Sequence, residues 1–158
     1  MGIGSLLLRL FRRAEPLSLE DPELGLLTYE RGRWWTASIR FDGFDEPLRT
    51  LLRGGTKGPQ RESREALRTL QGKLRGLLDG PIRSDLREAE LGRKADPKSE
   101  PSQRPEDIFE IYLLVSLSVE ILSGKSHVEI GFKPAWSEDH HIWFYFDDWE
   151  PSGISMDS

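Results

Sequence analysis

Hydrophobic and polar positions alternate along two stretches of the chain and follow a helical period in a third. In Leu24-Gly-Leu-Leu-Thr-Tyr-Glu30 the pattern roughly alternates. It turns at Arg31-Gly32 and resumes with Trp35, Ala37, Ile39 and Phe41 on one face and Trp34, Thr36, Ser38 and Arg40 on the other. A period of two on both sides of a glycine turn predicts a β-hairpin over residues 23–42. Asp42-Gly43 ends it, Pro47 to Arg53 predicts a third strand, and Gly54, Gly55, Gly58 and Pro59 predict a loop. From Gln60 to Asp79 the spacing changes to three and four. Leu67, Leu70, Leu74, Leu77 and Leu78 form one helical stripe, with Glu62 and Glu65 near the positive end of the helix dipole. Gly80-Pro81 predicts the stop, and Ile82 to about Gly92 predicts a shorter helix with Ile82, Leu86 and Ala89 on one side.

The period of two then returns. Leu113, Val115, Leu117, Val119 and Ile121 alternate with Leu114, Ser116, Ser118, Glu120 and Leu122. Ser123 to Ser126 turns the chain, and Val128, Ile130 and Phe132 alternate with Glu129, Gly131 and Lys133. After a longer turn at 134–139, Ile142, Phe144 and Phe146 point one way and His141, Trp143 and Tyr145 the other. Trp149 falls beyond this last strand. The pattern predicts an α+β fold: a mostly antiparallel sheet, made of an N-terminal hairpin and a C-terminal meander, with two helices inserted on one face. Residues 23–158 form a single domain. Residues 1–22 are expected to be an amphipathic or flexible segment, and 95–107, with three prolines and almost nothing to bury, are expected to be a polar linker, solvated or disordered.

Composition narrows the function classes. The 158 residues contain no cysteine, which excludes disulfides, thiol nucleophiles and cysteine-ligated metal centres. The net charge of −5 is unevenly spread. Residues 101–158 hold three basic and eleven acidic side chains, leaving 19 basic and 16 acidic in the first hundred. From Ser137 onward there are six acids and no Lys or Arg. Such a surface repels a phosphate backbone and attracts cations or a basic protein, so no nucleic-acid partner is expected. At the N-terminus, Ile3, Leu6, Leu7, Leu10 and Phe11 share a helical face. The run lacks a basic lead and a small-residue cleavage site, and falls short of the roughly 18 apolar residues of a membrane span. A cytoplasmic protein without an integral span is expected, although a role of this Leu/Arg segment in docking is a further alternative.

Candidate chemistry is sparse. Gly124-Lys125-Ser126 has Val119 where a phosphate loop needs its first glycine, and no helix follows. There is no Gly-x-Ser-x-Gly elbow, and Asp147-Asp148 are strand neighbours that point apart. His140 and His141 likewise point to opposite faces. Setting residue 133 opposite 140 brings His127 opposite about Phe146, on the order of 20 Å along the ladder from His140 at ~3.3 Å per residue. A three-histidine metal site is thereby ruled out. His127 with Asp147 or Asp148, or His140 with Glu138 and Asp139, are the remaining pairings, and a small metal-dependent enzyme built on one of them is the alternative function. No cofactor is assigned. The five tryptophans offer more. Trp34, Trp143 and Tyr145 lie on strand faces opposite the apolar stripes. Rings inside an acidic rim make a protein-binding surface, in which rings anchor and charges steer.

At Trp136-Ser-Glu-Asp-His140-His-Ile-Trp-Phe-Tyr, taken with the hairpin at Gly25–Phe41, the chain resembles small uncharacterised bacterial α+β domains, some of which resemble immunity proteins of polymorphic toxin systems. The likeness covers the terminal halves and not 81–107. It departs from the pattern in the Asp directly before His140 and the second His after it, so no role is carried over to His140. The resemblance implies a non-catalytic inhibitor of a basic toxin or effector. The partner-binding residues expected from charge and rings are Glu138, Asp139, Trp143, Tyr145, Asp147, Asp148, Trp149 and Glu150.

Overall fold

The computed structural model describes residues 17–30, 32–95 and 107–157. The N-terminal Leu/Arg run and nearly all of the 95–107 linker lie outside them. The fold is α+β. Nine strands form one sheet: β1 (Ser18–Asp21), β2 (Gly25–Glu30), β3 (Trp34–Ile39), β4 (Leu48–Gly55), the two-residue β5 (Gly58–Pro59), β6 (Tyr112–Leu122), β7 (Lys125–Pro134), β8 (His141–Asp147) and β9 (Glu150–Asp157). The order across the sheet is β1-β2-β3-β4-β6-β7-β8-β9, with β5 folded back on β4. Every pairing is antiparallel except β4 with β6, which run parallel through Thr50↔Leu117, Leu51↔Ser118 and Leu52↔Val119. Between those two strands the chain passes through helices α1 (Arg61–Leu77), α2 (Arg83–Ala95) and the single turn α3 (Ile108–Ile111).

The expected alternation decides which face the helices cover. Trp35, Ala37, Ile39, Leu52, Leu117, Val119, Val128, Ile130, Phe132, Ile142, Phe144 and Phe146 are buried on one side of the sheet, against Leu67, Leu70, Leu74 and Leu78 of the leucine stripe. A fully buried leucine contributes roughly 1.5–3 kcal/mol relative to an exposed one, so this interface is the main source of stability. Among the described residues no element covers the opposite face, which carries Trp34, Thr36, Arg53, Ser118, Glu129, Trp143 and Tyr145. The prediction of two helices on one face holds.

Several details depart from expectation. Gly54 and Gly55 continue β4 instead of looping, and Gly58-Pro59 pairs back on them. The approach is close enough that a Cβ on Gly54 would lie 2.6 Å from Pro59 Cα, so only glycine fits. Trp35 Nε1 donates to the Gly55 carbonyl at 2.8 Å and fastens this corner to the core. At Gly80-Pro81 the first helix gives way to the second, as expected. The chain passes from α1 to α2 through a wide turn, Leu78–Ile82, bent at Gly80 (φ −94°, ψ −107°). On α2 the inward positions are Leu86 and the carboxylate Glu90, whereas Ala89 is exposed.

In β6 a bulge between Leu114 and Ser116 shifts the alternation by one residue. Tyr112 and Leu114 therefore join the helix side, opposite Pro134 and Phe132, and Leu113 moves to the outer face opposite Lys133, where it is 48% exposed. The sheet also extends at both edges. β1 begins at Ser18, within the stretch assigned to the N-terminal segment, and β9 occupies the residues after Asp147, where no strand was expected. Its pattern of Glu-Pro-Ser-Gly-Ile-Ser-Met-Asp has one β-branched residue, Ile154, and no aromatic one, too few to mark a buried strand.

Candidate binding face

The outer face of the C-terminal meander is built from aligned rows of residues. Ser116, Gly131, Trp143 and Ser155 stand side by side across β6 to β9. The next row is Ser118, Glu129, Tyr145 and Gly153, and the next Glu120, His127, Asp147 and Glu150. The observed β7–β8 register is one residue from the expected one, since His127 faces Asp147 and not Phe146. His127 Nδ1 and Asp147 Oδ1 are 2.5 Å apart.

Both aromatic anchors on this face are held by β9. Trp143 Nε1 donates to Asp157 Oδ2 at 3.0 Å, and the Tyr145 hydroxyl shares a 2.8 Å hydrogen bond with Ser155 Oγ. His141 stacks on Trp143, with ring centres 6.2 Å apart and planes at 24°. Each ring stays partly exposed. Glu129 lies beside Tyr145 on the same face and forms no ion pair among the described residues. Further across the sheet, Arg53 sits over the Trp34 ring at 5.0 Å and forms an ion pair with Glu120 at 3.6 Å.

The eight expected partner-binding residues fall into three places. Trp143 and Tyr145 share the outer face. Asp147, Asp148, Trp149 and Glu150 form the β8–β9 hairpin at one end of β8. Glu138 and Asp139 lie in the loop at its other end, about 20 Å away at a rise of ~3.3 Å per residue. Asp148 and Trp149 occupy the two turn positions with φ of 49° and 74°, the left-handed pair of a type I′ turn. Asp148 ties this turn to β7: its Oδ1 accepts from Ser126 N at 3.0 Å, and its own N–H donates to Ser126 O at 2.8 Å. Trp149 packs on the helix side, against the core and 5.8 Å from Lys73 Nζ of α1. It therefore does not belong to the surface carrying Trp143 and Tyr145.

Two participants escaped sequence reasoning. Glu129 was legible from strand parity, because it alternates with Val128 and Ile130 like Tyr145 with Phe144 and Phe146. Asp157 was not, since its place beside Trp143 depends on the edge strand.

The proposed metal pairings do not grow into a site. His140 Nδ1 shares a 2.6 Å hydrogen bond with Ser137 Oγ, and its ring lies 5.5 Å from that of Trp136. Among the described residues no three His, Asp or Glu side chains are grouped to hold a metal ion. A separate polar cluster sits under the helix. Glu90 of α2 is 4% exposed, accepts two hydrogen bonds from Arg93 at 2.7 and 2.9 Å, and accepts one from the Tyr112 hydroxyl at 3.1 Å. Burial, and next the Glu90 charge, push the Tyr112 phenol up to about 12.

No protein-family model, curated protein or solved structure matches the chain. Among the described residues no helix is long and apolar enough to cross a membrane.

Proposed function

We propose that the protein is a non-catalytic, cytoplasmic binding protein of the immunity type, which neutralises a basic toxin or effector by capping it with the open face of the C-terminal meander. One observation carries this reading. Trp143 and Tyr145 stand partly exposed on a sheet face that no described element covers, with Glu129 beside Tyr145 on the neighbouring strand, free of ion pairs among the described residues, and the acidic hairpin Asp147, Asp148 and Glu150 at their edge. Rings of this kind bury area at low entropic cost, and the acids speed the approach of a cation. On the same face Glu120 is ion-paired with Arg53, and among the described residues no three His, Asp or Glu side chains are grouped to hold a metal ion.

Immobilised full-length protein tests the reading by capture from a bacterial extract, analysed by mass spectrometry. Cationic proteins are expected on the wild type, released by salt. They are expected to fall several-fold on a variant with Asp147, Asp148 and Glu150 reversed to Lys, and on one with Glu129→Lys and Tyr145→Ala. Equal capture with unchanged salt sensitivity on both variants would defeat the proposal.

A further inference from the structure

We infer that the basic partner docks by adding a β-strand to the free edge of β9. This inference rests on the binding reading above. β9 ends the sheet, and among the described residues nothing pairs with its outer side. An unpaired edge offers a row of N–H and C=O groups as a template, and proteins usually blunt it with Lys, Pro, bulges or charge. In β9 the proline and the irregular register fall at the start, around Pro151. From Gly153 to Met156 there is no proline and no charge. The segment presents Ile154 and Met156 on the helix side, 55% and 61% exposed. Beside Met156 the surface opens into a cavity of about 260 Å³, lined by Tyr112, Pro134, Trp136, His140 and Ile142 and by Arg93, whose charge is paired with Glu90, with Trp136 47% exposed. A strand laid along β9 would cover Ile154 and Met156 with its own alternate side chains and could place one of them in this cavity. Main-chain bonds would supply affinity and the cavity selectivity.

Charge selects the occupant. Glu150 and Asp157 bracket the open segment, and Glu138, Asp139, Asp147 and Asp148 flank its two ends. A second copy of β9, centred antiparallel on the first, would set Glu150 of each copy opposite Asp157 of the other, and like charges directly opposite are destabilising. An extended segment alternating basic and apolar residues meets the same carboxylates favourably.

The test uses the full-length protein and a blocked nine-residue peptide of alternating Lys and Val, with a Glu/Val peptide as control. Amide exchange and backbone NMR shifts are followed along the whole chain. The expected result is saturable 1:1 binding of the Lys/Val peptide with new protection of amides in Gly153–Met156. Binding should weaken at least tenfold in Ile154→Lys and in Glu150→Lys, and the Glu/Val peptide should not bind. Absence of binding, or shifts confined to Glu129, Trp143 and Tyr145 without protection of β9, would overturn edge docking. Either result would leave capture by the open face to be judged on the extract experiment alone. Equal binding of the Glu/Val peptide would overturn the charge argument. Protection of the outer β9 amides before any peptide is added would mean that the chain itself or a second copy, distinguished by sedimentation, already fills the edge, and would likewise overturn the inference.

Discussion

The indole of Trp143 lies flat across Gly131 on the neighbouring strand, with the two residues directly paired between β7 and β8. A Cβ at position 131 would come within 2.9 Å of the indole Cε3 and 2.8 Å of Ser116 Oγ. The glycine is what lets the ring lie down on the sheet, where its Nε1 reaches Asp157. Gly131→Ala should lift the indole, break that hydrogen bond and loosen β9. A cost of about 1–3 kcal/mol is expected for overpacking. Urea unfolding measures it, and a red shift in tryptophan emission reports the displaced ring. Unchanged stability and emission would show that Trp143 does not depend on this contact.

Trp149 offers a way to separate backbone from side-chain energetics. Its φ of 74° is the left-handed conformation that glycine adopts freely and other residues resist by roughly 1 kcal/mol. Trp149→Ala keeps the strained backbone and loses packing against the core and Lys73. Trp149→Gly loses the same packing and relieves the strain. Both variants should be less stable than wild type, with the glycine variant about 1 kcal/mol more stable than the alanine one in parallel denaturation curves. An alanine variant as stable as the glycine variant would contradict the turn assignment.

Asp21 gives the fold a defined acid response. It is clamped by Arg64 of α1 at 2.5 Å and also accepts from the backbone N–H groups of Glu23 and Leu24. Its hydrogen bond to Arg64, despite opposing desolvation, lowers its pKa from the usual carboxylate value to about 2. Because the folded value lies below the unfolded one, the stabilisation is present above about pH 4 and is lost as pH falls toward 2. It is on the order of 1 kcal/mol after allowance for solvent screening. Asp21→Asn should lower stability at pH 7 and flatten the loss between pH 4 and 2 in thermal unfolding. An equally steep acid limb in the variant would assign that limb to other carboxylates.

The cluster under α2 should respond asymmetrically. Tyr112→Phe removes one hydrogen bond to Glu90 and should cost about 1 kcal/mol. Glu90→Ala deprives Arg93, 19% exposed, of its bidentate partner and should cost about 3 kcal/mol or more. Chemical denaturation of both variants gives the comparison, and a Glu90 variant no less stable than the Tyr112 one would mean that Arg93 re-solvates freely.

Gly72 and Gly76 lie exposed in α1 with open space where a Cβ would stand. Replacing each by Ala should stabilise the protein by roughly 0.5–1 kcal/mol, additively, since a helical glycine surrenders more backbone freedom on folding. Thermal midpoints of the single and double variants check this.

Much of the architecture was legible because burial imposes a period. The leucines of α1 and the alternation of β3, β7 and β8 each face the core, and a one-residue slip would turn every apolar side chain outward. Legibility failed where burial stopped dictating the pattern. β9 is mostly exposed, so Ser152, Ile154 and Met156 carry no signal of a strand. The bulge at Leu114–Ser116 reset the phase in a run so uniformly apolar that either phase fitted. Glu90 is buried because Arg93 and Tyr112 satisfy it, and a charge so accommodated reads as surface. At the binding face, strand parity was enough to place Trp143 and Tyr145 together. It could not reveal that Trp149, turned by a left-handed hairpin, would leave them for the helix side.

The parallel seam between β4 and β6 has a consequence for assembly. On either side of it, each strand meets a sequence neighbour, so the two meanders can zip locally. Three residue pairs join them, and those pairs bring together positions more than sixty residues apart. Closing so long a loop is entropically costly before it is rewarded, and contacts of this kind slow folding. The seam is therefore the step on which the two halves wait for the helices. A chain severed between α2 and α3 would divide along it into two pieces, each carrying a complementary half of the core.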